Sequence, residues 1–114
     1  MVIDEGTVPP PRFGVVLVTV SSPEEGKEIA HALVEEKLAA CVNCWPIQST
    51  YFWQGEVHHD DEWQLIIKTR LDCLPMLEQR VNDLHSYDVP EFIALPIVAG
   101  AAPYLNWIAD QTRP

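Results

Sequence analysis

Residues 39–69 read "AACVNCWPIQSTYFWQGEVHHDDEWQLIIKT". Two runs rich in aromatic and β-branched residues, 39–53 and 56–69, flank Gln54-Gly55, and a glycine between such runs marks a hairpin. Each arm can exceed about ten residues, which is longer than an ordinary strand. Pro46 has no N–H to give to a ladder, so the first arm must bulge there or lie at a sheet edge. What flanks this long hairpin decides the fold.

Upstream, "FGVVLVTVS" (13–21) is a continuous apolar, β-branched run, the pattern of a strand covered on both faces. "SPEEGKEIAHALVEEKLA" (22–39) follows as a helix. Ser22 is a good N-cap, Pro23 suits the first helical position, and Glu25 completes a capping box. Ile29, Leu33 and Ala30, Val34, Leu38 recur at helical spacing, with Glu28, Glu35 and Glu36 off that stripe. Downstream, "LDCLPMLEQRVNDLH" (71–85) places Leu74, Leu77, Val81 and Leu84 on one helical face, with Asp72 as N-cap and Pro75 in the first turn. "PEFIALPIVAG" (90–100) reads as a fourth strand, and "AAPYLNWIADQ" (101–111) as a short helix presenting Leu105 and Ile108, with Tyr104 and Trp107 beside them.

The order β-α-β-β-α-β plus a terminal helix predicts an α+β, ferredoxin-like sandwich, an antiparallel four-stranded sheet with helices on one face. The other sheet face is then bare. Two overlong strands and a mostly apolar sheet imply that a partner covers it, so a homo-oligomer is expected.

One domain accounts for the 114 residues, and 47% hydrophobic residues suffice for a single core. The domain is expected over 13–114, behind a disordered N-terminal tail, 1–12, that ends at three prolines, Pro9 to Pro11. No apolar run is long enough for a membrane span. The start, "MVIDEGTVPPPRF", lacks the basic and apolar regions of a signal peptide, so a cytoplasmic location is the default expectation. A formal charge of −10, with only seven Lys plus Arg, argues against a nucleic-acid partner. It gives instead a diffuse attraction for cations.

Three motifs could carry chemistry. "CVNC" (41–44) has redox or zinc spacing, but on a strand the two thiols point to opposite faces. They are read as structural, and the odd count of three cysteines fits a reducing compartment. In "HHDDE" (58–62), His58, Asp60 and Glu62 share one strand face while His59 and Asp61 share the other. The stretch is read as the solvated end of the hairpin, with His58 and His59 as weak metal ligands. "HSYDVPEF" (85–92) joins a helix end to a strand and carries His85, Tyr87, Asp88 and Glu91. Val89-Pro90 forces extended backbone there, giving a rigid corner suited to binding.

"EEKLAACVN" (35–43), "STYFWQGEV" (49–57), "EWQLIIKT" (62–69), "HSYDVPE" (85–91) and "YLNWI" (104–108) fall in the order and spacing of the CutA family, the divalent-cation tolerance proteins. The resemblance covers roughly residues 13–111. It implies a ferredoxin-like subunit in a tight homotrimer, with the long hairpin reaching across to neighbours. The architecture is similar to that of the nitrogen-regulatory PII proteins, which bind small ligands in clefts between subunits. Copper ligands proposed for some members are a first-strand cysteine and two adjacent histidines. Here those positions hold Val18 and the pair Leu84-His85, so only His85 carries over. One imidazole cannot hold copper usefully unless other groups contribute. Trp53, Glu62, Lys68, His85, Tyr87, Pro90 and Glu91 match the family pattern. An intersubunit cleft lined by Trp53, Glu62, Lys68, Tyr87 and Glu91 follows, with Lys68 pairing a carboxylate such as Glu91 or holding an anion.

The leading expectation is therefore a CutA-like homotrimer serving divalent-metal (copper) tolerance by binding or signalling rather than catalysis. It requires no cofactor, though Cu²⁺ or another divalent ion is a candidate ligand. The first alternative is a PII-like sensor of an organic ligand. The second is a small acid–base enzyme using His85.

Overall fold

The computed structural model describes residues 12–114. The chain runs β1 (Phe13–Val20), α1 (Pro23–Glu35), β2 (Cys41–Trp53), β3 (Glu56–Arg70), a single 3-10 turn (Leu71–Cys73), α2 (Leu74–Leu84), β4 (Ile93–Pro96) and α3 (Ala102–Gln111). One four-stranded sheet has the order β2-β3-β1-β4, and its pairings are all antiparallel. This is the expected ferredoxin-like α+β sandwich with a C-terminal helix. The tail expected over 1–12 lies, except for Arg12, outside the described residues.

The hairpin is as long as its sequence implies, with 13 residues in β2 and 15 in β3. Its register runs unbroken from Cys41 opposite Lys68 to Trp53 opposite Glu56. Pro46 therefore causes no bulge; β2 is a sheet edge, the other position open to a strand proline. Gln54 (φ 50°) and Gly55 (φ 82°) close the hairpin, and positive φ at both centres is the two-residue turn that matches strand twist.

Alternation in β1 and β3 divides the sheet. Val16, Val18 and Val20 lie opposite Ile67, Leu65 and Trp63, and this face packs under α1 and α2. Ile29 and Leu33 of α1 and Leu77 and Val81 of α2 complete the core. Each such side chain contributes about 1.5–3 kcal/mol relative to exposure. Val34, expected on the inner stripe, is 43% exposed, because the inward arc of α1 is set by Gly26, Ile29 and Leu33. The opposite face carries Val15, Leu17, Ile93, Leu95 and Trp45. Over part of it, α3 lays Ile108 against Phe13 and Ala40. Arg70 fastens that helix by donating from Nε to Thr112 Oγ1 (2.9 Å) and from Nη2 to the Thr112 carbonyl (2.7 Å). The remainder stays open, with Ile93, Leu95 and Trp45 exposed.

Three local expectations change. The fourth strand shrinks from 90–100 to Ile93–Pro96, since prolines at 90 and 96 remove ladder donors and leave only four residues to pair with β1. Asp72 does not cap α2. A 3-10 turn intervenes, and Asp72 instead takes both its hydrogen bonds from Arg70 Nη1. At α1, Ser22 accepts from the Glu25 amide (3.1 Å) as predicted, but the Glu25 carboxylate reaches Ser21 rather than the Ser22 N–H.

The end of α1 yields a stability prediction. Leu38 N–H donates to Leu33 O (2.9 Å) and Lys37 N–H to Val34 O (3.1 Å), a Schellman closure with buried Leu38 against Leu33. Lys37 occupies the left-handed position there, at φ 61°. Lys37→Gly is expected to raise stability by about 0.5–1 kcal/mol, because relief of the Cβ clash outweighs glycine's added unfolded-state entropy. Urea unfolding at fixed protomer concentration checks this.

Candidate functional site

Where the hairpin projects past β1, the corner 85–91 folds back over it. A cleft of about 680 Å³ lies between them, lined by residues that include Thr19, Ser49, Tyr51, Trp53, Glu62, Tyr87, Pro90 and Glu91. Register explains the gathering. Ile47 pairs with Glu62, Ser49 with Asp60 and Tyr51 with His58, so the odd residues of β2 and the even residues of β3 share this face.

The corner is held by side chains rather than by a ladder. His85 Nε2 lies 2.7 Å from Thr19 O, and the Tyr87 N–H donates to His85 Nδ1 (3.0 Å). A carbonyl only accepts and an amide only donates, so the ring is the neutral tautomer protonated on Nε2. The Ser86 N–H donates to Glu25 Oε2 (2.8 Å), tying the corner to the first turn of α1. Gln64 Nε2 donates to Glu91 Oε1 (3.1 Å) and to Val18 O (3.0 Å). Tyr87 Oη donates to Glu62 Oε2 (2.7 Å). Burial, and then that bond, push the Tyr87 phenol well above its ordinary range, so it stays a donor in any physiological medium. Tyr51 Oη donates to Asp60 Oδ2, a bond that likewise raises the Tyr51 phenol.

Burial of the Glu25 carboxyl favours its neutral form, yet the hydrogen bonds from Ser86 and Ser21 outweigh this and lower its pKa below the ordinary 4.5. A carboxylate depressed in the folded state stabilises above its unfolded pKa and loses that contribution as pH falls through the folded value. Wild type should therefore lose melting temperature faster than Glu25→Gln on acidification below about pH 4.5. Parallel melting curves from pH 6 to 3 check it, and identical slopes would remove Glu25 from the account.

Trp53, Glu62, Tyr87 and Glu91, named from the sequence, come together within one chain, so this cleft does not need a neighbour's hairpin to form its walls. Lys68 does not join them. It lies six residues from Glu62 along β3, about 20 Å at strand rise, with its ammonium 5.7 Å from the Tyr104 ring. Its expected pairing with Glu91 is replaced by the Gln64–Glu91 bond. Both ring nitrogens of His85 meet backbone groups in this arrangement, Nε2 at Thr19 O and Nδ1 at the Tyr87 N–H, and so hold the corner to β1. His58 stacks on Tyr51 at 5.5 Å, while His59, on the opposite face, meets Thr50 Oγ1 at 3.0 Å. Among the described residues, no three His, Cys, Asp or Glu side chains converge as a metal-holding group. Cys41, Cys44 and Cys73 are free thiols.

Sequence reasoning passed over Gln64 and the second role of Glu25. A signal for Gln64 was present: within the otherwise apolar stretch 62–68 of β3, Glu62, Gln64 and Lys68 recur at even spacing and so mark one polar-bearing face. Glu25 gave none, because its link to Ser86 spans 61 residues.

Comparison with known proteins places this geometry in context. The family model described as CutA1 divalent ion tolerance protein matches residues 14–111. A chloroplastic CutA protein of Arabidopsis thaliana is 54% identical over 100 residues, 87% of this chain and 55% of that protein. The divalent-cation tolerance protein CutA of Thermus thermophilus is 52% identical over 99 residues, 86% of this chain and 96% of that protein. The chain thus spans about half the length of the plant relative and nearly all of the bacterial one. The solved structure of the Thermus thermophilus protein superposes with a TM-score of 0.86 at 51% identity, covering 89% of this chain and 99% of that one.

Proposed function

We propose a binding role for this chain, which belongs to the CutA1 divalent ion tolerance protein family: as a homotrimer it takes part in the response to divalent cations by holding a ligand in the cleft, not by turning one over. The observation that carries this reading is the corner's preorganisation. Its polar groups are already locked onto one another through His85, Gln64, Tyr87 and Glu25, leaving a shaped, half-apolar cleft. Such a site binds at little ordering cost. A general base needs a free lone pair within reach of substrate, and both nitrogens of His85 are committed.

Support for the trimer comes from the open sheet face, where Trp45, Ile93 and Leu95 are 43%, 49% and 44% exposed on a chain small enough to profit from further burial. Copper taken up by one chain would meet adjacent imidazoles at His58 and His59 on the hairpin, His31 standing apart on α1 beside Glu35. The organic-anion alternative finds no cation in the cleft among the described residues, because Lys68 stands under Tyr104.

The test is a thermal-shift screen of the full chain against divalent ions and small metabolites, with mass measured by sedimentation. A ligand that binds only the native state raises the melting temperature with its saturation. A trimer mass and a saturable shift that weakens in Trp53→Ala are expected. A monomer, or no shift across a broad panel, overturns the reading. Calorimetric titration with Cu²⁺ separates the histidines: any heat should persist in His85→Ala and fall in the double variant His58→Ala/His59→Ala.

A further inference from the structure

We propose that the ligand of this cleft is an organic ammonium cation with an apolar body, its charge received by Glu62 and its body by the aromatic walls. This rests on the cleft being the binding site and goes further by naming the class of ligand.

Among the described residues, the charged side chains lining the cleft are Glu62, Asp88 and Glu91, with no Lys, Arg or His. Glu62 is the informative one. It is only 7% exposed, yet the one hydrogen bond of its carboxylate among the described residues is that from Tyr87 to Oε2. No sealed side-chain polar atom among those residues lacks a partner, so Glu62 Oε1 is not sealed but opens into the cleft it lines. A carboxylate so far withdrawn from water, with one neutral donor and no counter-cation among the described residues, is costly. A cation arriving at Oε1 offsets that cost. The Tyr87 phenol, unable to ionise under physiological conditions, keeps Oε2 occupied and turns Oε1 outward.

The walls suit the same guest. Tyr51, Trp53 and Tyr87 line the cleft, and a positive nitrogen over an aromatic ring gains about 0.5–2 kcal/mol. Val89 and Pro90 supply apolar surface for a carbon chain. A bare divalent ion fits less well. It asks for several converging oxygens or nitrogens, and among the described residues no three ligating side chains converge. An anion meets three carboxylates and a chain of net charge −10.

The experiment uses three probes of one length on the full chain: 1,5-diaminopentane, its neutral counterpart 1,5-pentanediol and the dianion glutarate, with tetraethylammonium and Mg²⁺ alongside. Calorimetry should give saturable binding of 1,5-diaminopentane or tetraethylammonium at one per chain, none of the diol or glutarate, and no competition by Mg²⁺. Affinity should drop at least tenfold in Glu62→Gln, which keeps the Tyr87 bond but removes the charge. Trp53→Ala, at a residue 48% exposed, should lower affinity without unfolding the chain and stands in if the Gln variant does not fold. Equal binding of diol and diamine, unchanged affinity in Glu62→Gln, or displacement of the amine by Mg²⁺ overturns the assignment. Binding of glutarate alone refutes the cation while keeping the cleft as a ligand site. A cleft silent to all probes and to the metabolite screen removes both readings.

Discussion

Leu65→Ala is expected to lower unfolding free energy by about 3–5 kcal/mol, a large share of the roughly 5–15 kcal/mol that holds a domain folded. Leu65 is fully buried at the centre of β3, between Val18 of β1 and Cys44 of β2. Gly26 of α1 sits directly over it, so close that a methyl group there would lie 3.3 Å from Leu65 Cδ2. The cavity cannot close by moving β3, because the strand is laddered on both sides. Nor can α1 settle inward cheaply, since its first turn is tied to the 85–91 corner through Glu25 and Ser86. Guanidinium unfolding at one protomer concentration is the measurement, because association adds a concentration-dependent stabilisation. A loss below about 1 kcal/mol would mean that the core relaxes around the site. Leu65→Met, similar in volume, should cost less than about 1.5 kcal/mol.

The second large effect is at His85. His85→Ala removes the partners of the Thr19 carbonyl and the Tyr87 amide at once. Thr19 lies beyond the part of β1 that pairs with β4, which covers only Gly14 to Leu17, so the imidazole replaces a missing strand there. Leaving such groups unsatisfied costs about 1–3 kcal/mol for each that water cannot reach. The half-buried corner places the total near the lower end of that sum, about 2 kcal/mol. The functional consequence is more diagnostic than the stability loss. Without His85 the backbone at Tyr87 is freed, and the Tyr87–Glu62 bond that shapes the cleft loses its anchor. Hydrogen exchange at the Tyr87 amide should accelerate, and ligand-induced stabilisation should shrink, while heat from Cu²⁺ stays unchanged. Loss of a stoichiometric copper heat in this variant alone would instead make His85 a ligand and refute its positioning role.

The hairpin, both long helices and the antiparallel sheet were legible because each rests on a local pattern: Gln54-Gly55 between β-rich runs, Ser22-Pro23 before a helical stripe, and the continuous apolar, β-branched run of β1. Errors arose where tertiary partners outcompeted a local motif. Asp72 looks like a cap until Arg70 claims it, and Glu25 looks like half of a capping box until Ser21 and Ser86 take its oxygens. At the candidate site, Trp53, Glu62, Tyr87 and Glu91 could be named in advance but their arrangement could not. Lys68 shares a strand face with Glu62, and strand periodicity alone does not say where along that face a loop will fold back.

The sequence by itself determined the elements, their order and the long hairpin, because these follow from short-range steric preference and from the periodicity of burial. It also determined that the chain would be acidic; the sheet face expected to be bare is instead partly covered by α3, whose Ile108 packs on Phe13 and Ala40. Tertiary structure alone decided that the corner 85–91 closes on its own hairpin, that His85 spends both nitrogens on backbone, and that Glu62 is withdrawn with one oxygen left toward the cleft. Those outcomes depend on which distant groups meet across 25 to 66 residues, as in the Tyr87–Glu62 and His85–Thr19 bonds. A local pattern carries no information over such separations; only the packed sheet and helices bring the groups into contact.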